Sequence, residues 1–169
     1  MRVGIISDTH GVLHPRVAEV FAGVDHIIHA GDIGGDEILQ ALRRIAPVTH
    51  VEGNIDDSSG YNVARVTLEG VRFLVTHILP RPSDPEKHVV KALKREPADV
   101  VVFGHSHLPH DEIVDGIRYF NPASAGPRRF DYPMSVGLFE WSADIPVCAH
   151  VALDERSIAA LKNRMNQMR

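Results

Sequence analysis

One cysteine, Cys148, is all that the sequence offers for disulfide or thiolate chemistry. A single cysteine cannot form an internal disulfide, so we expect a protein of a reducing compartment, most simply the cytoplasm. A metal site built from several thiolates is excluded for the same reason. The N-terminal segment reaches Asp8 without a signal-peptide-like apolar stretch, and no apolar run is long enough to span a bilayer. The sequence therefore predicts no membrane association.

Positive charge is also in the minority, with 18 lysines and arginines against 22 aspartates and glutamates. Extended, sequence-independent binding to nucleic acid depends on many basic contacts to phosphate, so this balance argues against it. A small phosphate ester or nucleotide is still compatible as a substrate, because one or two arginines suffice to hold it. The length suits one domain, predicted to span residues 1–169, with residues 154–169 as a C-terminal helical extension.

Short apolar runs alternate with helical spacings along the first third of the chain. Strands are predicted over Val3–Ile6, His26–His29 and Val48–Val51, with helices over His14–Phe21 and Asp36–Arg44. This alternation indicates parallel strands joined by helical crossovers. The later strands are predicted over Val63–Leu68, Val71–Thr76, Val100–Phe103, Glu112–Val114, Ile117–Phe120, Ser135–Trp141 and Val147–Leu153, and the later helices over Asp84–Arg95 and Glu155–Met168. The last helix packs on the sheet or forms the surface of a homo-oligomer, and both alternatives stay open.

Side chains that bind metals follow the predicted strands in five short clusters. These are Asp8 with His10, Asp32, Asn54 with Asp56, His77, and His105 with His107. Oxygen ligands mixed with imidazole, and no thiolate, suit manganese, iron or zinc. In open α/β sheets, ligands bind outside the carboxyl ends of the strands, so we expect these side chains to meet there. They outnumber the four ligands of one tetrahedral ion, so the sequence predicts a two-metal site, which is typical of hydrolysis at phosphorus.

The order of these clusters resembles the calcineurin-like metallophosphoesterases, in particular their small bacterial and archaeal phosphodiesterases. The matching motifs are D-x-H, G-D, G-N-x-D, H and G-H-x-H, and the segment N-P-A-S at 121–124 is similar to the family's N-P-G-S. The resemblance covers about the first four-fifths of the chain. It implies an α/β fold, a four-layer α/β/β/α sandwich of two mixed sheets flanked by helices, to which the sequence adds a C-terminal helix.

The resemblance also implies how the metal ligands divide between two divalent ions. One ion would be held by Asp8, His10 and His107, the other by Asn54, His77 and His105, and Asp32 would bridge both. We expect Mn²⁺, with iron, zinc and nickel as alternatives. A hydroxide shared by the two ions would attack phosphorus, since metal binding lowers the pKa of water to about 7. The predicted catalytic residues are Asp32, Asn54 and Asp56, the last by orienting the ligands.

The sequence departs from the broader family where a proton donor is common. The element G-N-H-[DE] here reads Gly53-Asn54-Ile55-Asp56, and isoleucine cannot protonate a leaving group. Which group replaces that histidine, if any, stays open among His14, Asp56 and His110. A contact to the substrate phosphate is equally open among the loop arginines Arg81, Arg128 and Arg129.

The sequence is thus interpreted as a metal-dependent phosphoesterase, a phosphodiesterase in preference to a monoesterase. The alternative is a non-catalytic scaffold of the same fold, resembling the retromer subunit. A third interpretation, a mononuclear zinc hydrolase acting on amide or ester bonds, needs only three ligands and leaves the other clusters unexplained.

Overall fold

The computed structural model describes residues 1–142 and 145–167 and contains two mixed five-stranded sheets. The strands are β1 Arg2–Ile6, β2 His26–His29, β3 Val48–His50, β4 Val63–Leu68, β5 Val71–Thr76, β6 Val100–Val102, β7 Pro109–Val114, β8 Ile117–Pro122, β9 Ser135–Ser142 and β10 Ile145–Ala152. The helices are α1 Arg16–Val20, α2 Asp36–Arg43, α3 Lys87–Arg95 and α4 Glu155–Gln167.

The two sheets each combine a parallel centre with antiparallel strands. The first sheet has the order β10-β9-β1-β2-β3, in which β1, β2 and β3 are parallel, as their helical crossovers predict. The second has the order β4-β5-β6-β8-β7, in which β5, β6 and β8 are parallel. The carboxyl ends of β1, β2, β3, β5 and β6 are the strand ends that the five ligand clusters follow.

Apolar side chains from both sheets meet in a central layer. Phe139 of the first sheet contacts Phe73 and Phe120 of the second edge-to-face, at ring-centroid distances of 5.7 and 5.1 Å. All three rings are fully buried. Separate apolar clusters lie beneath α1 and α2 on one outer face and beneath α3 on the other. The predicted four-layer α/β/β/α sandwich is therefore confirmed.

Several element boundaries differ from the sequence-based prediction. Helix α3 begins at Lys87 rather than Asp84, because Glu86, in the N-cap position, has an extended backbone with ψ 150°. Helix α1 is shorter than predicted and begins after Pro15. Strand β7 begins at Pro109, three residues early, which an edge strand tolerates because it leaves one side unpaired. The predicted end of the last helix, Met168, lies outside the described residues.

None of the helices that the structure describes combines the length and the apolar character that a bilayer crossing requires.

A polar network joins the start of α4 to the loop after β8. Asp154 caps the helix by accepting a hydrogen bond from the backbone N–H of Ser157 at 2.8 Å. The guanidinium of Arg128 donates to the carboxylate of Asp154 and to the hydroxyl of Ser157. Burial alone would raise the pKa of Asp154, but these hydrogen bonds lower it to about 2. The stability that the carboxylate contributes is present above pH 4, roughly its unfolded pKa, and is lost as pH falls toward 2.

Two substitutions of Asp154 distinguish the contribution of the helix cap to stability from that of the ion pair with Arg128. We expect Asp154→Ala to lower the free energy of unfolding by about 1–3 kcal/mol, because both the cap and the partner of Arg128 are lost. Asp154→Asn keeps a cap acceptor, so its loss should be smaller. Urea denaturation at pH 7 measures both, and an unchanged Asp154→Ala midpoint would show that the network contributes nothing to stability.

Candidate metal centre

The loops after five strands bring the seven predicted metal ligands together at one edge of the sandwich. Five of these ligands have left-handed backbone conformations: Asp8 (φ 55°), His10 (φ 47°), Asp32 (φ 52°), His105 (φ 69°) and His107 (φ 58°). Non-glycine residues in this region cost roughly 1 kcal/mol each and cluster at functional sites. The strain allows each loop to turn its ligand sharply toward the same point.

A first cluster is formed by Asp8, His10, Asp32 and His107, whose ligand atoms all lie within 4.8 Å of one another. Nε2 of His107 lies 3.2 Å from Oδ1 of Asp8 and 3.2 Å from Nε2 of His10. Nε2 of His10 lies 3.7 Å from Oδ2 of Asp32. Atoms bound about 2.1 Å from one tetrahedral ion are separated by roughly 3.4 Å, so these residues fit a divalent metal.

A second cluster lies on the other side of Asp32. Nε2 of His77 lies 3.2 Å from Oδ1 of Asp32 and 3.2 Å from Oδ1 of Asn54. Nδ1 of His105 lies 3.1 Å from the same Asn54 oxygen. Asp32 therefore presents Oδ2 to His10 of the first cluster and Oδ1 to His77 of the second. This set of two imidazoles, an amide oxygen and a carboxylate oxygen also fits a divalent metal.

The protonation states of Asp32, His10 and His105 suit metal binding, whereas at His77 burial is outweighed by the hydrogen bond to Asp32, which raises the pKa of that ring. Burial would raise the pKa of Asp32, but His77 beside one oxygen and the backbone N–H of Ile55 lower it to about 2, so the carboxylate is ionised. Burial lowers the pKa of His10 and of His105, which favours their neutral imidazoles. Nδ1 of His77 lies 2.7 Å from the carbonyl oxygen of Ala30, and an N–H donated there leaves Nε2 as the ligand atom.

A buried histidine, His29 at the end of β2, supports the ligand loops. The N–H of Gly31 donates to Nδ1 of His29, and Nε2 of His29 lies 3.0 Å from the Thr9 hydroxyl, which donates to the carbonyl of Ile33. Burial lowers the pKa of His29 to about 4, so the ring is neutral. This chain of hydrogen bonds joins the Asp8 and Asp32 loops.

Asp56 joins two ligand loops, and both of its carboxylate oxygens accept hydrogen bonds from the backbone. Its carboxylate accepts hydrogen bonds from the backbone N–H groups of Ile33 at 2.8 Å, Gly34 at 2.8 Å and Gly53 at 2.9 Å. These contacts fix the Asp32 loop against the Asn54 loop. They support the predicted orienting role of Asp56.

His14 and His110, the two other residues that could replace the missing proton donor, lie in different surroundings. Nδ1 of His14 accepts a hydrogen bond from the backbone of Arg16 at the start of α1. Nε2 of His110 lies 3.1 Å from a carboxylate oxygen of Glu112 on β7. Ile55 is 47% exposed, so the position holding the family's histidine faces solvent here.

Two structural roles in the N-P-A-S segment went unrecognised in the sequence. The Ser124 hydroxyl donates to the carbonyl of Asp8 at 2.9 Å, and the Asn121 amide donates to the carbonyl of Gly104 at 2.8 Å. Both residues are buried and hold ligand loops of opposite sheets. The motif signalled their importance, but only the fold shows the loops they hold.

The contacts show that two of the loop arginines, Arg128 and Arg129, lie in different surroundings. Arg128 belongs to the network at the start of α4, whereas a guanidinium nitrogen of its neighbour Arg129 lies 3.5 Å from Nε2 of His10. Arg129 thus brings a positive charge to the first cluster.

Residues 1–144 match the family model described as the calcineurin-like phosphoesterase superfamily domain. The chain belongs to this superfamily. A probable metallophosphoesterase from Methanothermobacter thermautotrophicus is 33% identical over 143 residues, covering 79% of this chain and 82% of the relative. The phosphodiesterase YfcE from Escherichia coli K12 is 30% identical and covers 95% of this chain and 96% of its own length.

Solved structures show the same fold. The E. coli YfcE structure aligns with a TM-score of 0.68 and 26% identity, covering 93% of this chain and 96% of that one. Vps29 from Entamoeba histolytica, solved in complex with zinc, has a TM-score of 0.66 at 21% identity, covering 91% and 100%. Together with the family model and the curated relatives, these structures agree with a metallophosphoesterase fold, and metal binding is consistent with the cluster geometry.

Replacing Asp56 tests whether it positions the ligand loops. We expect Asp56→Asn to lower the free energy of unfolding by about 1–3 kcal/mol, because an amide cannot accept all three N–H groups. It should also weaken Mn²⁺ binding about 10–100-fold, measured by calorimetry. Asp57→Asn is the matched control: Asp57 is exposed, and asparagine tolerates its φ of 59°. Unchanged stability and metal binding with lost turnover would instead make Asp56 a directly catalytic residue.

Proposed function

We propose that this protein is a phosphodiesterase that uses two divalent metal ions, one on each side of Asp32. The observation that carries the proposal is the division of the Asp32 carboxylate, with one oxygen facing each ligand cluster. Asp8, His10 and His107 complete the first ligand set, and Asn54, His77 and His105 complete the second. A mononuclear zinc hydrolase would use one set and leave the convergence of the other unexplained.

Bound divalent ions would supply a water of lowered pKa and neutralise charge on the phosphate. The protein residues keep the ligands in the required state and place. The ionised Asp32 offers both oxygens, and the Asn54 amide oxygen adds a neutral ligand. Mn²⁺ is our first choice, because mixed oxygen and imidazole ligands without thiolate suit it, with iron, zinc and nickel as alternatives.

A diester is favoured over a monoester by the charges beside the first cluster. A cavity of about 550 Å³ adjoins His10 and is lined by the acidic side chains of Asp36, Glu52, Asp56 and Asp57. A monoester carries up to two negative charges near neutral pH, whereas a diester carries one, so repulsion from this cavity is weaker for the diester. The name phosphodiesterase for the E. coli relative agrees with this preference.

The alternative of a non-catalytic scaffold rests on fold similarity to Vps29, which at 21% identity concerns the fold alone. A scaffold has no need to keep seven metal-binding side chains in contact distance. Their convergence, with five of them in a strained backbone, favours the enzyme.

Turnover provides the first test of the proposal. Metal-stripped protein given Mn²⁺ should hydrolyse bis(4-nitrophenyl) phosphate, and Asp32→Asn should lower kcat/KM by about 10³-fold or more, because it weakens both ligand sets at once. Asp115→Asn serves as the control, because Asp115 is exposed in a hairpin turn and lines neither the acidic cavity nor the ligand clusters. A folded protein without turnover on any divalent ion would contradict the enzyme and favour the scaffold.

Arg129 is proposed to contact the substrate phosphate. Its guanidinium lies beside the first cluster, and its planar pair of donors matches two phosphate oxygens. We expect Arg129→Ala to lower kcat/KM about 10–100-fold, mainly through KM, with partial recovery in Arg129→Lys. Arg156→Ala, at an exposed position of α4, is the control. An unchanged KM in Arg129→Ala would exclude the contact.

A further inference from the structure

A second groove beside the site, lined by His105 where the acidic cavity is lined by His10, has a different chemical character. It has a volume of about 560 Å³, within the range of small-molecule sites. Its lining is mostly apolar: Tyr61, Ile78, Pro80, Pro82 and Leu108 are at least partly exposed there, and Leu79, Phe103 and Pro109 line it as buried side chains. We call it the apolar groove.

The apolar groove is continuous with the second ligand cluster. His105, whose Nδ1 contacts the Asn54 oxygen, also lines the groove, and so does Gly104 beside it. Gly104 allows the strand end to pack closely, since a Cβ there would lie 2.1 Å from the hydroxyl oxygen of Ser7. A phosphate held at the clusters would therefore have one of its ester substituents at the mouth of this groove.

We infer that the apolar groove binds a planar aromatic ester substituent of the substrate, so that the preferred substrates are phosphodiesters carrying an aryl or nucleobase-like group. This inference rests on the proposed phosphodiesterase function. The exposed ring of Tyr61 and the partly exposed side chains of Pro82 and Leu108 offer apolar surface to a planar group. The polar side chains of Ser106, His110 and Arg164 also line the groove and can pair with the edge of a heteroaromatic ring.

The acidic cavity makes the two sides of the site unequal. An apolar ester substituent in the acidic cavity would contact the carboxylates of Asp36, Glu52 and Asp57, which are poor partners for it. In the apolar groove, the same substituent would remove apolar surface from water. The aromatic substituent is thus assigned to the His105 side of the site. Arg164 of α4 is the only lysine or arginine among the described residues that line the apolar groove, which gives the C-terminal helix a part in the substrate site.

Two phosphonates isolate the contribution of the groove. Phenylphosphonate and methylphosphonate share the same anionic group, and their carbon–phosphorus bond is not an ester, so both can be studied by calorimetry on Mn²⁺-loaded protein without turnover. We expect phenylphosphonate to bind about tenfold more tightly, since burial of a ring adds roughly one such factor. The ratio of the two dissociation constants removes the common contribution of the metal site.

Filling the groove should abolish this preference. In Leu108→Trp the ratio should fall to about two or less, because the new indole occupies the space of the ring. Ile113→Trp is the matched control, in the strand that follows Leu108 but 64% exposed and outside the groove, and it should keep the tenfold ratio. Tyr61→Ala, which removes one wall at an exposed position, provides an independent variant if Leu108→Trp does not fold.

The outcomes separate this inference from the proposed function. A ratio near one in a wild-type protein that hydrolyses diesters would overturn the groove assignment and leave the enzyme intact. A tenfold ratio that Leu108→Trp removes would support the groove even if no diester were hydrolysed, in which case the proposed function would be the part that fails. A ratio that Leu108→Trp and Tyr61→Ala both leave unchanged would also overturn the assignment.

Discussion

The sharing of one carboxylate, that of Asp32, between two groups of ligands is the constraint on which the rest of the site depends. Its two oxygens face opposite clusters, so the loop after β2 must hold it within narrow limits. The structure meets this requirement with a left-handed backbone at Asp32, a hydrogen bond from the N–H of Ile55, and the triple acceptor Asp56 behind the loop. Much of the polar network around the centre thus serves to fix one side chain.

The same constraint explains why the site lies between the sheets rather than on one of them. Asp8, Asp32 and Asn54 follow strands of the first sheet, while His77 and His105 follow strands of the second. Packing in the apolar layer that contains Phe73, Phe120 and Phe139 fixes the position of one sheet relative to the other. Packing far from the ligands therefore sets the distances among them, and any change in the relation of the two sheets would reach both clusters.

Much of the fold could be predicted from the sequence, because buried strands such as β1 and β6 contain short apolar runs and every predicted ligand follows a strand. The convergence of the seven ligands followed from the rule that parallel strands present their carboxyl ends at one edge. The predicted start of helix α3 is three residues early, because Ser83 and Asp84 are residue types that favour an N-cap, whereas Glu86 occupies that position without a side-chain hydrogen bond. The separate roles of Arg128 and Arg129, neighbours of identical type, depend on tertiary contacts that local pattern does not encode. The apolar groove is assembled from distant segments and could not be read from any one of them.

These features form one asymmetric site, with acidic residues near His10, an arginine beside the first cluster and an apolar groove next to His105. We propose that one metal ion binds on each side of Asp32. Crystals grown with Mn²⁺ and measured at the manganese absorption edge test this binding of two ions. We expect two anomalous peaks, one within coordination distance of each Asp32 oxygen. A single peak at saturating Mn²⁺, with the second group of ligands empty, would contradict it.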